Sequence, residues 1–250
     1  MNILAIGAHP DDVEFMCAGT LAKLKEKGHR IFMATVANGS CGSREYKAKE
    51  VIKIRREEAK KSAKLLGAPY YGAGIDDLMV DNVASIRLKV VAILRKANPD
   101  IVFTHSVEDY MIDHVSTSTL VKDGCFCAPM PNFPAKGKPI SHIPYLYYAL
   151  PLEGKDMYGC RIKPQILIDI TQEMSIKEEM LACHKSQRDW LKKQHNMDQY
   201  IETMKKWAKE LGELSGCIYA EGFRQHLGHG FPQDNILESL LVIHSGLFVR

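Results

Sequence analysis

Near its amino terminus the chain carries the run Gly7-Ala8-His9-Pro10-Asp11-Asp12-Val13-Glu14. His9 and Asp12 are three residues apart across what reads as a strand-to-helix turn, so both side chains can face one point while Pro10 fixes φ and stiffens the loop. This turn is wrong for a dinucleotide, because it has a single glycine followed by two carboxylates that would repel a pyrophosphate. An imidazole among carboxylates suits a cation instead. Zinc takes histidine nitrogen and carboxylate oxygen, and a catalytic site has three protein ligands with one position open. The best third ligand is His114, ten residues beyond the strand that ends at Thr104. Asp113 beside it is placed to steer an imidazole. Asp11 is then left as general base toward a water whose pKa a zinc ion lowers to about 7. Taken alone, an Asp-Asp pair after a strand is an ordinary helix N-cap; His, Pro, Asp, Asp and Glu together point to metal chemistry.

The elements that must position these residues alternate. Asn2 to Ala8, Arg30 to Ala37 and Ile101 to Thr104 read as buried strands, and 145–150 and 165–170 as two more. Between them lie helical patterns, the first with Cys17, Leu21 and Leu24 on one face, then 49–66, 82–96 and a stretch from His114 to about Phe126. Ser175 with Glu178 makes a capping box for a helix running to Lys193, and a last helix spans about 198–211. Strands alternating with helices imply an α/β fold with a mostly parallel sheet, whose ligands gather at the carboxyl ends of the strands. With no repeat or linker, residues 1–250 are expected to form one domain with a C-terminal extension. The stretch from Gly216 onward, with its apolar run Leu237 to Ile243, is open between an edge strand, a lid and a subunit contact. The proline-rich loop from Cys127 to His142 is the kind that covers a site and sets specificity.

Composition narrows the partners. The 250 residues are 46% hydrophobic and 25% charged, with 33 Lys and Arg against 30 Asp and Glu, which excludes disordered and fibrous classes and does not announce a nucleic-acid or membrane-surface binder. No apolar stretch is long enough for a spanning helix or a signal peptide, so neither is expected. Seven cysteines, an odd number without a C-x-x-C pair, fit a reducing cytoplasm, with Cys125 and Cys127 as buried small apolar residues. A small-molecule partner remains. The run from Arg44 to Lys64 holds nine Lys and Arg against four Glu and reads mostly as a solvated helix face. Trp190, Trp207 and the tyrosines at 145, 147 and 148 read as core or interface packing ahead of stacking on a sugar.

The run Ala8-His9-Pro10-Asp11-Asp12-Val13-Glu14 resembles the A-H-P-D-D-x-E signature of the PIG-L / LmbE-like N-acetylglucosaminyl deacetylase family. The resemblance extends over most of the chain. Asn38-Gly39-Ser40 is similar to the family's T-D-G loop, and Arg55, Glu57, Glu58, Ala59 with Leu66-Gly67 to its R-x-E-E-A…L-G helix. Asp113-His114 is similar to the end of its H-P-D-H motif, and His184-x-Ser186-Gln187 to its H-x-S-Q. The resemblance implies a Rossmann-like three-layer sandwich, zinc (or another divalent ion such as Fe²⁺) on His9, Asp12 and His114, and Asp11 as general base. It also implies Arg55 near the substrate, an N-acetylated amino sugar or conjugate as substrate, and a homo-oligomer, trimer or hexamer; Asp113 is a further candidate for substrate binding. Where the family has the acid histidine this chain has Met111, and methionine can neither protonate an amine nor stabilise an oxyanion. His105, at a strand end, is the first substitute to consider, before Tyr110, His184, His226 and His229. Two rival functions stay open: a zinc-dependent hydratase of an unsaturated carboxylic acid, since the family includes such members, and a metal-bearing sugar-binding protein without turnover.

Overall fold

The computed structural model describes residues 1–43, 45–188 and 200–241. Its elements run β1 (Asn2–Gly7), α1 (Asp12–Glu26), β2 (Arg30–Ala37), α2 (Ala48–Leu65), β3 (Tyr70–Ile75), α3 (Ala84–Ala97), β4 (Ile101–Thr104) and α4 (Ile112–Cys127). They continue with β5 (Tyr145–Ala149), β6 (Ile166–Asp169), α5 (Met174–Ala182), α6 (Tyr200–Ser215), β7 (Ala220–Gln225) and the short α7 (Ile236–Leu240). The strands form one seven-stranded sheet in the order β3-β2-β1-β4-β5-β7-β6. β1 to β5 are parallel, and β7 runs antiparallel to both of its neighbours.

Alternation along the strands builds the three layers. On β1, Ile3 and Ala5 face the core packed by α1, α5 and α6, while Leu4 and Ile6 face the core under α3 and α4. α2 sends only Val51, Arg55, Ala59, Ser62 and Ala63 inward, at helical spacing, and leaves the other face to its lysines. That bears out the solvated-face reading of the basic run, with Arg55 as its buried exception. Arg44 lies outside the described residues. No helix of the described residues is long and apolar enough to cross a membrane.

Four expectations are corrected. Ser175 does not cap α5: the helix begins one residue earlier, with Glu173 at the N-cap position and no side-chain cap bond, and Glu173 instead faces Lys23 at 3.4 Å. The helix expected to run from 175 to 193 breaks at Cys183 and His184 and resumes over 185–188, its remainder and Trp190 lying outside the described residues. The stretch after Gly216 is not an edge strand: β7 is inserted between β5 and β6, and of the run Leu237 to Ile243 the part up to Leu241 is described, mostly as α7. The loop 127–142 does not cover the site. Arg95 of α3 pins it by donating to the carbonyls of Ala128, Met130, Ala135 and Gly137, and none of its residues lines the cavity described next.

Candidate active site and metal centre

β1 has β2 on one side and β4 on the other, so the connections leave it in opposite directions, and such a switch point opens a crevice at the carboxyl ends of the strands. A cavity of about 550 Å³ lies there. Its floor is His9, Asp11, Asp12, His105 and His114, and its walls come from the segments after β2, β3, β4 and β5 and from α6.

The β1–α1 turn is tight enough that a Cβ on Gly7 would stand 2.8 Å from the Asp12 Cβ. Asp11 occupies the N-cap position without a side-chain cap bond, at φ 120°, a conformation that costs a non-glycine residue about 1–3 kcal/mol and persists where surrounding contacts impose it. The N-cap reading of the Asp-Asp pair therefore fails for Asp11. Asp12 folds back instead: its Oδ2 accepts from the His9 backbone N–H at 2.6 Å and lies 3.4 Å from His9 Nδ1. Its Oδ1 lies 3.6 Å from His114 Nε2.

His9, Asp12 and His114 each offer a ligand atom, all within 4.8 Å of one another. A second set, His105, Asp109 and His114, meets the same criterion and shares His114. The first set is the better one, because His105 Nε2 already accepts from Ala8 N–H at 2.9 Å. His105 also touches Asp12 Oδ2 at 3.0 Å and stacks on His114 at 3.9 Å. Two imidazoles and a carboxylate form a donor set that fits a divalent cation. Buried polar atoms without partners, His114 Nδ1, Asp109 Oδ2 and Asp113 Oδ1, surround the set and mark a site whose polar groups are not satisfied by protein alone.

Carboxylates back both histidines. Asp113 Oδ2 meets His9 Nε2 at 2.9 Å and accepts from Leu78 N–H at 2.8 Å. Expected beside the substrate, Asp113 is instead fully buried and absent from the cavity lining; it steers an imidazole as anticipated, but that of His9. The carboxylate behind His114 is Asp109, whose Oδ1 lies 3.1 Å from Nδ1 at an angle short of a formed hydrogen bond. The inversion follows from α4 starting at Ile112: Asp113 and His114 are consecutive on a helix, so they point about 100° apart.

Arg55 lines the cavity but is buried. Its Nη2 donates to Pro10 O at 2.6 Å and to Asp11 Oδ1 at 3.2 Å, and its side chain lies against Gly39 and Gly42, where any Cβ would collide with it. That loop is held by Asp77, which accepts from Gly39 N–H and Cys41 N–H. On the other side, Tyr200 Oη donates to Asp11 Oδ2 at 2.5 Å. Sequence reading missed Tyr200, Asp109 and Asp77.

These surroundings drive two adjacent carboxylates apart. Burial pushes the Asp11 carboxyl up, against the Arg55 charge, with the Asp12 charge adding to the rise. Burial acts on Asp12 the same way, but the imidazoles of His114, His105 and His9 outweigh it and hold that carboxylate well below its usual range. Asp12 is thus a permanent anion and Asp11 a group able to take a proton, the divergence that separates acid–base roles in a shared site.

Of the other candidates, Tyr110 is on the rim, edge-on to His114. His226 hydrogen-bonds Tyr148, and neither it nor His229 lines the cavity. Trp207 lines it and stacks on Phe15 at 6.0 Å, whereas Tyr145, Tyr147 and Tyr148 are turned to Asp234, Asn235 and His226. His184 is fully buried with Nε2 2.9 Å from Glu14 Oε1, and Ser186 donates twice to Glu58, so three separate motifs interlock behind the floor. Burial works to lower the His184 pKa from 6.5, but the Glu14 charge outweighs it and raises it. A raised histidine adds stability that is fully present below the unfolded value and fades as pH rises through the folded one. Glu14→Gln is therefore expected to destabilise most at acid pH, with the difference in melting temperature from wild type shrinking above about pH 6.5; a difference independent of pH would refute the pairing.

Residues 4–125 match the family model described as GlcNAc-PI de-N-acetylase, PIG-L. A diacetylchitobiose deacetylase of Thermococcus kodakarensis is 28% identical over 233 residues, 89% of this chain and 82% of that protein. A 4-oxalmesaconate hydratase of Pseudomonas putida is 24% identical over 190 residues, 73% of this chain and 72% of that one. The solved structure of N,N'-diacetylchitobiose deacetylase from Pyrococcus horikoshii superposes with a TM-score of 0.76 at 26% identity, covering 92% of this chain and 86% of that one. The stretch that matches the PIG-L family model, residues 4–125, carries the candidate ligand set, Asp11 and Arg55.

Proposed function

We propose that the protein is a zinc-dependent hydrolase that removes an acetyl group from an N-acetylated amino sugar or sugar conjugate. The observation that carries this reading is the floor of the cavity: His9, Asp12 and His114 bring ligand atoms within 4.8 Å of one another, and the adjacent Asp11 is held in a setting that favours taking a proton. Zinc suits that donor set, as does ferrous ion. A divalent cation there supplies Lewis acidity toward an acyl carbonyl and a more acidic water at neutral pH.

The chain's own residues do the rest. Arg55 and Tyr200 fix both oxygens of Asp11, so the carboxylate faces the acyl group in one orientation and takes the proton of the attacking water. Asp113 holds His9, Asp109 stands behind His114, and His105, committed to Ala8 N–H and Asp12, steadies the ligands, a geometry that suits support better than reach toward a leaving amine. Phe15, Leu150, Pro151, Leu152 and Trp207 give the cavity an apolar wall that can receive the C–H face of a sugar ring and exclude water.

Substrate charge separates this reading from the hydratase. A polycarboxylate would need cations, and among the described lining residues the one permanent cation is Arg55, already spent on Pro10 and Asp11. The test is acetate and amine release by zinc-reconstituted protein over N-acetylated sugars, starting with N,N'-diacetylchitobiose. Asp11→Asn should keep its zinc and lose roughly 10²–10⁴-fold in kcat. An active Asn variant removes the general base. Zinc-loaded wild type that hydrates an unsaturated acid and frees no amine makes the protein a hydratase, and tight sugar binding without product makes it a binder.

A further inference from the structure

We infer that Tyr200 passes to the leaving amine the proton that Asp11 takes from water, filling the role that Met111 cannot. This rests on the deacetylase reading. Tyr200 opens α6, lines the cavity and donates its phenol proton to Asp11 Oδ2. The other Asp11 oxygen faces Arg55, which does not give up a proton. Among the described residues, then, the exchangeable neighbour bonded to Asp11 is Tyr200. The alternatives are placed elsewhere: His105 Nε2 is committed to Ala8 N–H, His184 is buried on Glu14 outside the cavity, and Tyr110 stands at the rim against His114.

The step balances. Water oxygen bonds to the acyl carbon and its proton goes to Asp11. As the C–N bond breaks, its electron pair stays on nitrogen, which takes the phenol proton, while the proton on Asp11 moves to the phenol oxygen. Carboxylate and phenol are restored, one water is consumed, and acetic acid and amine leave, the acid then passing its proton to solvent or to the amine to give acetate. Free tyrosinate never has to accumulate, because both transfers run along one hydrogen bond.

Tyr200→Phe, loaded with zinc, tests this on two probes: N,N'-diacetylchitobiose, whose amine must be protonated to leave, and 4-nitrophenyl acetate, whose nitrophenolate leaves without a proton. Zinc content and melting temperature should match wild type, amide turnover should fall roughly 10²–10⁴-fold, and ester turnover, which loses only the orientation of Asp11, should fall by much less. Equal losses on both probes would mean that Tyr200 only orients Asp11 and would overturn the relay, as would undiminished amide turnover. A second measurement needs wild type alone: amide turnover in H₂O/D₂O mixtures should curve, with two protons in flight, and a straight line overturns the relay. Zinc-loaded wild type that frees no amine from any N-acetylated sugar overturns the deacetylase reading itself, and the relay with it.

Discussion

His114→Ala is expected to leave the protein folded and unable to retain zinc through dialysis, with turnover lost in step. Removing a carboxylate that merely orients a ligand costs about 10–100-fold in metal affinity, so removing the ligand itself should cost more than about 10²-fold on the same scale. His114 is the decisive position because it belongs to both candidate ligand sets. His9→Ala and His105→Ala then separate them: loss of zinc from the first with retention in the second assigns the ion to His9, Asp12 and His114. Metal content after dialysis and chelator competition read this without reference to substrate. Zinc content unchanged in His114→Ala would place the third ligand elsewhere.

The site was legible from sequence where its geometry is local. His9, Asp11 and Asp12 sit within one turn at the end of a buried apolar strand, and turn chemistry alone nearly fixes how they face. The alternating strands and helices made the parallel part of the sheet legible for the same reason. What escaped the reading depends on distant contacts. Tyr200 reaches Asp11 across 189 positions, and nothing in its neighbourhood distinguishes it from a core tyrosine. Asp113, read as the neighbour of His114, backs His9 instead, and Asp109, which the reading passed over, stands behind His114, because adjacency in sequence says little once a helix begins between them. β7, with the sequence AEGFRQ, shows too little apolar alternation to announce a strand buried between two others. Its Glu221 looks like a surface residue and is not.

That glutamate supports the largest stability effect. Glu221 of β7 is buried and receives Gly19 N–H at 3.0 Å and Thr20 N–H at 2.7 Å from the middle of α1. It pairs with Lys177 of α5, whose ammonium also donates to Phe15 O at 2.8 Å. A buried pair of this kind is worth little against a well-packed apolar replacement, yet breaking it from one side costs about 3–5 kcal/mol, because the survivor keeps its charge without its partner. The two sides are not equal. Lys177→Met leaves a carboxylate that still has two backbone donors, whereas Glu221→Leu leaves an ammonium with one carbonyl. Glu221→Leu should therefore be the worse variant, lowering the melting temperature by roughly 6–20 °C from wild type for a chain of this size, and the double variant should lose less than the sum of the singles. The effect carries to the site, since Phe15 sits on the same turn of α1 and stacks with Trp207 in the cavity wall. The single variants should accordingly raise KM more than they lower kcat. Strict additivity in the double-mutant cycle would mean that the two charges do not act as a pair.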